Sequence, residues 1–216
     1  MFRLTFRTAL RTAPLLLLLL MGSARHASAQ SFSAFFGVGT AQDKASGQSF
    51  DFFNGGAGPF FGAPKMTGAF GNFGAEFMIT PHFGVNGDYT FRFSQGNYAG
   101  LGYRPTFFDF NGVYQPISGG SRIVPEFLAG LGAETTHFYV NQQFCTVVCQ
   151  NVTTPIQNSS HFQFHFGGGV KFYVKPNIFL RPQIDVRWVQ EFSPSEFGRD
   201  WVPEYSVAIG YTFGER

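Results

Sequence analysis

The last strand-like stretch of the chain, residues 204–213, changes character at every second residue. Tyr205, Val207, Ile209, Tyr211 and Phe213 fall on one parity, while Ser206, Ala208, Gly210 and Thr212 fall on the other. Successive side chains of a strand point to opposite faces, so this segment has one apolar face edged by aromatic rings and one small, polar face. A strand packed between helices would be apolar on both faces, which excludes that setting. The same period recurs in seven earlier stretches, at 32–40, 68–79, 83–94, 104–115, 122–134, 161–174 and 178–190. It is clearest in the stretch from 161, where Phe162, Phe164, Phe166, Val170, Phe172 and Val174 oppose Gln163, His165, Gly167, Gly169 and Lys171. The expectation is an all-β chain of eight antiparallel strands.

The connections alternate in length. Those after the second, fourth and sixth stretches are short turns, whereas residues 41–66, 135–160 and 191–203 are read as long connections. Pro105, Pro125 and Pro182 fall inside expected strands. Proline cannot donate to a ladder, so each should mark a strand start, an edge or a bulge. Residues 1–29 read as an export signal: Arg3, Arg7 and Arg11 precede an apolar core from Leu15 to Leu20, and Ala27-Ser28-Ala29 offers a small-residue cleavage site before Gln30. That core is shorter than the roughly 20 residues that cross a bilayer as a helix. No other apolar run reaches that length, so any membrane span must be a closed barrel. The signal carries four bases and no acid, leaving 11 bases against 13 acids in residues 30–216. A basic patch suited to nucleic acid is absent. With 30 Phe, 27 Gly and only 13% charged residues in the whole chain, the part after the signal is read as one globular β domain and not a disordered chain.

An apolar stripe with aromatic residues at both ends suits a bilayer, whose two water interfaces favour amphipathic rings. In this the sequence resembles the small bacterial outer-membrane β-barrels, of the type formed by the transmembrane domain of outer-membrane protein A. The closing strand Tyr205, Val207, Ile209, Tyr211, Phe213 is similar to the segment that such barrels present to the insertion machinery, although Gly214, Glu215 and Arg216 follow the aromatic residue here. The resemblance implies an eight-stranded up-and-down transmembrane barrel in the outer membrane, with short periplasmic turns and longer outer loops. Its partners would be outer-membrane lipid, the insertion machinery and an extracellular or cell-wall partner met through the loops, and the barrel is expected to act as a monomer. A soluble barrel with its apolar face inward would alternate too. The polar parity argues against it, mixing Gly with isolated charges of both signs: Glu76, Asp88, Asp109, Glu126 and Asp185 against Arg92, Lys171, Arg181 and Arg187. Buried charges must pair, so these nine are expected to form ion pairs within the lumen. Eight strands enclose only enough room for side chains, so the barrel should be plugged.

Other features point to chemistry less directly. Cys145 and Cys149 in an exported chain are expected to form a disulfide. His161 and His165 share a parity with Gln163. Lipid A deacylases of similar architecture carry a His-x-Ser strand motif, but Phe166 and Gly167 follow His165, so a polar lumen histidine is the simpler reading. Gly167-Gly168-Gly169 lies in a strand with no helix after it, so close packing replaces a phosphate loop. The Asn151 and Asn158 sequons are read as turn residues. The Phe-rich stretch 50–61 is either a partner site or a flap over the barrel mouth. No cofactor, metal or catalytic site is expected. The function expected is structural, adhesive or loop-mediated; a narrow solute channel and a lipid A-modifying enzyme are the alternatives.

Overall fold

The computed structural model describes residues 31–42, 49–50, 61–62, 66–98, 100–117, 120–145, 149–190 and 201–214. The proposed signal and most of the Phe-rich stretch 50–61 lie outside them.

Eleven strands follow one another: β1 Ser31–Ala41, β2 Ser49–Phe50, β3 Phe61–Gly62, β4 Gly68–Met78, β5 Phe83–Arg92, β6 Gly96–Tyr98, β7 Leu101–Tyr114, β8 Ile123–Cys145, β9 Cys149–Tyr173, β10 Ile178–Val189 and β11 Trp201–Gly214. Eight of them form the wall, each antiparallel to its sequence neighbour, and β1 pairs β11 to close it. The pairs β2–β3 and β6–β7 add short hairpins at one end.

Cross-strand partners traced once around the wall from Ser31 pass through Met78, Gly84, Val113, Leu128, Gly167, Asp185 and Glu204, and return to β1 at Ala41. The stagger is therefore ten residues, from Ser31 to Ala41. For eight strands this means a tilt of roughly 40°, and an axial rise of about 2.4 Å per residue. An 11-residue strand such as β1 thus spans about 26 Å, the height of an outer-membrane apolar band.

The expected parity holds around the wall. Phe36, Val38, Phe73, Phe110, Phe127, Leu131, Phe166, Ile184, Val207 and Ile209 all point outward. Phe164 is 38% exposed on the outer face and Gln163, next to it, is 0% exposed inside. In a water-soluble protein that outer surface would be a vast exposed apolar patch, so its solvent is hydrocarbon. The three prolines sit where a ladder is missing on one side. Pro105 lacks a β5 partner, Pro125 lacks a β7 partner, and at Arg181 and Pro182 the β9–β10 pairing is interrupted.

The long connection expected after the fifth stretch is not found. Residues 135–160 are not a loop: β8 and β9 run on past the wall, paired from Thr135↔Ser160 to Cys145↔Cys149, with one register shift at Phe138/Tyr139. The Asn151 and Asn158 positions are strand residues in this hairpin, not turns. The arm was hidden because its flanks are both wet, so no apolar period marks it, and it rests on Thr, Val and Tyr propensity alone.

Candidate functional site

Inner-parity side chains fill the barrel because glycines on neighbouring strands make room for them. A Cβ at Gly167 would run into Asp185 Oδ1, and one at Gly74 into both Asp88 Oδ1 and the Phe35 ring. Through these gaps the charged residues reach across the axis.

In the half nearer the short turns, Lys171 Nζ donates to Glu76 Oε1 at 2.5 Å and lies 3.1 Å from Glu126 Oε2. Arg181 NH1 donates to Glu126 Oε1 at 3.2 Å, and its NH2 is 3.8 Å from Asp88. Gln115 Nε2 donates to Glu76 at 3.2 Å. In the outer half, Arg187 Nε donates to Asp109 Oδ2 at 2.8 Å and its NH1 to Glu204 Oε2 at 2.5 Å. His165 joins Asn111 Oδ1 through Nδ1 at 2.7 Å and Asp185 Oδ1 through Nε2 at 2.9 Å. Each buried cation also lies over an aromatic ring: Arg181 over Phe35 at 3.6 Å, Arg187 over Phe107 at 4.8 Å and Lys171 over Phe179 at 5.2 Å. A ring face offers partial negative charge without further acid, so each cation is held from two sides.

Apolar side chains complete the filling. Met78, Val113 and Leu128 pack together, as do Phe35, Phe179 and Ala208, with Tyr173 against them. Toward the outer mouth Ala41, Met66, Phe70, Phe107, Val189 and Val202 converge from six points of the chain and are all buried. They line the β1, β4, β7, β10 and β11 side of the lumen near the ion pairs, while Glu134, Thr136 and Gln163 are buried on the β8 and β9 side.

Eight of the nine expected lumen charges are thus buried, and all eight have an ionic partner within 4 Å. Arg92 lies at the mouth, half-buried, with its guanidinium 5.5 Å from the Tyr103 ring. Two acids not expected there join the interior, Glu204 beside Arg187 and Glu134, whose Oε1 accepts from Thr136 Oγ1 at 2.5 Å. The near balance of signs read from the sequence is corrected by this. Among the described buried residues, seven carboxylates face Lys171, Arg181, Arg187 and His165. Glu204 shares its parity with Ser206, but it stands at the first residue of the alternating stretch 204–213, where the period does not yet declare a face.

The remaining candidates resolve as follows. Both ring nitrogens of His165 are engaged by Asn111 and Asp185, so neither meets a serine. His161 Nε2 is 2.8 Å from Ser159 Oγ at the outer mouth, while Glu134, the register partner of His161, bonds Thr136 instead. Cys145 and Cys149 are backbone partners at the arm tip, and their side chains lie outside the described part.

A closed wall with a hydrocarbon-facing exterior and a packed polar interior defines a small transmembrane β-barrel. The chain belongs to the outer membrane protein beta-barrel domain family, whose model matches residues 15–213. That membership implies residence in the outer membrane. Similar solved structures include Neisserial surface protein A (14% identity, TM-score 0.53, covering 88% of this chain and 100% of that one). OprG of Pseudomonas aeruginosa is similar as well (14%, 0.52, 87% and 98%). So is Ail of Yersinia pestis in complex with the heparin analogue sucrose octasulfate (15%, 0.50, 86% and 99%). At such identities the likeness is one of fold. Among curated proteins none matches the chain.

Proposed function

We propose that this barrel is a plugged outer-membrane anchor whose work is done by the β8–β9 arm it holds above the bilayer, after export and removal of residues 1–29. The observation that supports this is the filled lumen: ion pairs reach across the axis and apolar side chains pack beside them. An eight-stranded interior occupied by side chains in this way has little room for an open pore. Non-enzymatic display accounts for a long, ordered hairpin on a wall that would be complete without it. A disulfide between Cys145 and Cys149 would lock its tip.

The arm carries its own clue to the partner. Residues 135–160 contain no Lys, Arg, Asp or Glu. A polyanion of the type present in the Ail complex would find no permanently charged base on it. Recognition would instead use hydrogen bonds from Thr, Asn and Gln and from the strand edges left free beyond the wall.

The test is conductance. The mature chain in planar bilayers should give no stable step of porin size, and removal of residues 140–154 should leave folding intact while abolishing binding to whole-cell or cell-wall partners. A stable ohmic conductance would refute the plug. An enzymatic reading has one observation in its favour, the Ser159–His161 contact. Lipid A mass on overexpression is expected to be the same for the native chain and Ser159→Ala.

A further inference from the structure

The outer wall has a groove of about 340 Å³ where β4, β5, β7 and β8 adjoin. Phe73, Tyr89 and Phe91 form its lower part and Arg104, His137 and Tyr139 its upper part, with Thr106 between. Its height in the membrane follows from the register. On β7 the outward residues run Phe110, Phe108, Thr106, Arg104, and on β8 they run Leu131, Ala133, Thr135, His137. The row Thr106↔Thr135 is where both strands leave the apolar band, and Arg104↔His137 is the next outward row.

Arg104 and His137 are therefore directly opposed, with Cβ atoms about 5 Å apart. Two basic side chains gain nothing from facing each other there. Arg104 has no carboxylate within ion-pair distance among the described residues. Its NH2 makes one long contact, 3.4 Å to Phe93 O, and its Nε is buried without a partner. His137 Nδ1 meets Asn158 Oδ1 at 2.9 Å, leaving Nε2 without a partner among the described residues. An uncompensated guanidinium sits beside an imidazole just above hydrocarbon, over a trough of three aromatic rings. A planar guanidinium is well matched to phosphate oxygens, and the trough matches an acyl chain. Tyr139 adds an amphipathic ring at the interface depth.

We propose that this groove binds one phosphorylated lipid of the outer leaflet, with its phosphate between Arg104 and His137 and an acyl chain along Phe73, Tyr89 and Phe91. A free anion would leave the aromatic half of the groove unused. An uncharged lipid would leave Arg104 unpaired.

The mature chain, folded in zwitterionic detergent, is titrated with bisphosphorylated lipid A and with the same lipid stripped of its phosphates, and one-to-one adducts are read by native mass spectrometry. The native chain should prefer the phosphorylated lipid by about tenfold, the scale of a charge-assisted pair. Arg104→Gln and His137→Gln should each remove most of that preference while keeping the unheated-gel mobility of a folded barrel. Arg122→Gln, in the turn at the opposite end, should not change it. Equal binding of the two lipids by the native chain overturns the proposal, and this comparison needs no variant. A preference left intact in both variants overturns it as well. So does displacement of the lipid by millimolar inorganic phosphate, which would mark a site for free anions.

Discussion

Arginine walked along β11 gives the sharpest test of which face meets hydrocarbon and at what depth. The outward positions are Trp201, Pro203, Tyr205, Val207, Ile209, Tyr211 and Phe213, so Val207 is the central one. Each step of two residues climbs about 5 Å along a strand tilted near 40°, placing Val207 about 14 Å from either end. That is half of a band about 25 Å tall. Val207→Arg should therefore cost about 2–4 kcal/mol, falling to about 0–1 kcal/mol for Trp201→Arg and Phe213→Arg, where the side chain reaches water. Phe164→Arg should fall between these values, because its register row through Trp188 to Trp201 climbs about 3 Å per strand at this tilt and sets Phe164 about 6 Å deeper than Trp201. The assay is urea titration of barrels folded into lipid vesicles, with the folded fraction read from unheated-gel mobility. A flat profile, or a maximum at Trp201 or Phe213, would refute both the lipid-facing parity and the strand tilt.

Within the lumen, Glu126→Gln strips a full charge from beside Lys171 and Arg181 and should cost about 3 kcal/mol in the same titration; adding Lys171→Met should recover part of it, since breaking a buried pair costs more than removing it. Gly167→Val would push Asp185 away from His165 and should destabilise by about 1–3 kcal/mol, whereas Gly168→Val, on the lipid face with only Glu126 O near its Cβ at 3.9 Å, should be nearly neutral. Cys145→Ser should leave the barrel's urea midpoint unchanged but speed proteolytic cutting of the arm, because a loop this short contributes only about 2 kcal/mol and does so locally.

The barrel was legible because a bilayer imposes one rule on every strand. Phe or an aliphatic residue must recur on one parity, and Phe162 through Phe172 state that rule without help from neighbours. Positions whose meaning depends on a second strand were not legible. His165 is held by Asn111, 54 residues earlier, and only the β7–β8–β9 register brings them together. Arg104 read as a strand start and His137 as part of a loop; their confrontation exists only once β7 and β8 are aligned. Glu134 and Glu204 were missed at strand ends, where the period has too few residues to declare a face. The arm failed for the opposite reason, having regular pairing without any apolar side to betray it.

The arm and the wall share one ladder, unbroken from Ile123↔Phe172 to Cys145↔Cys149 apart from the offset at Phe138/Tyr139. A partner tugging sideways on the tip would peel these bonds singly, like a zipper. The peeling front would meet fresh resistance at the rows where other strands take hold, β7 at Tyr139 and β10 at Gln163. Under such a load the distal ribbon would fray and re-form as a mechanical fuse before the wall itself is opened.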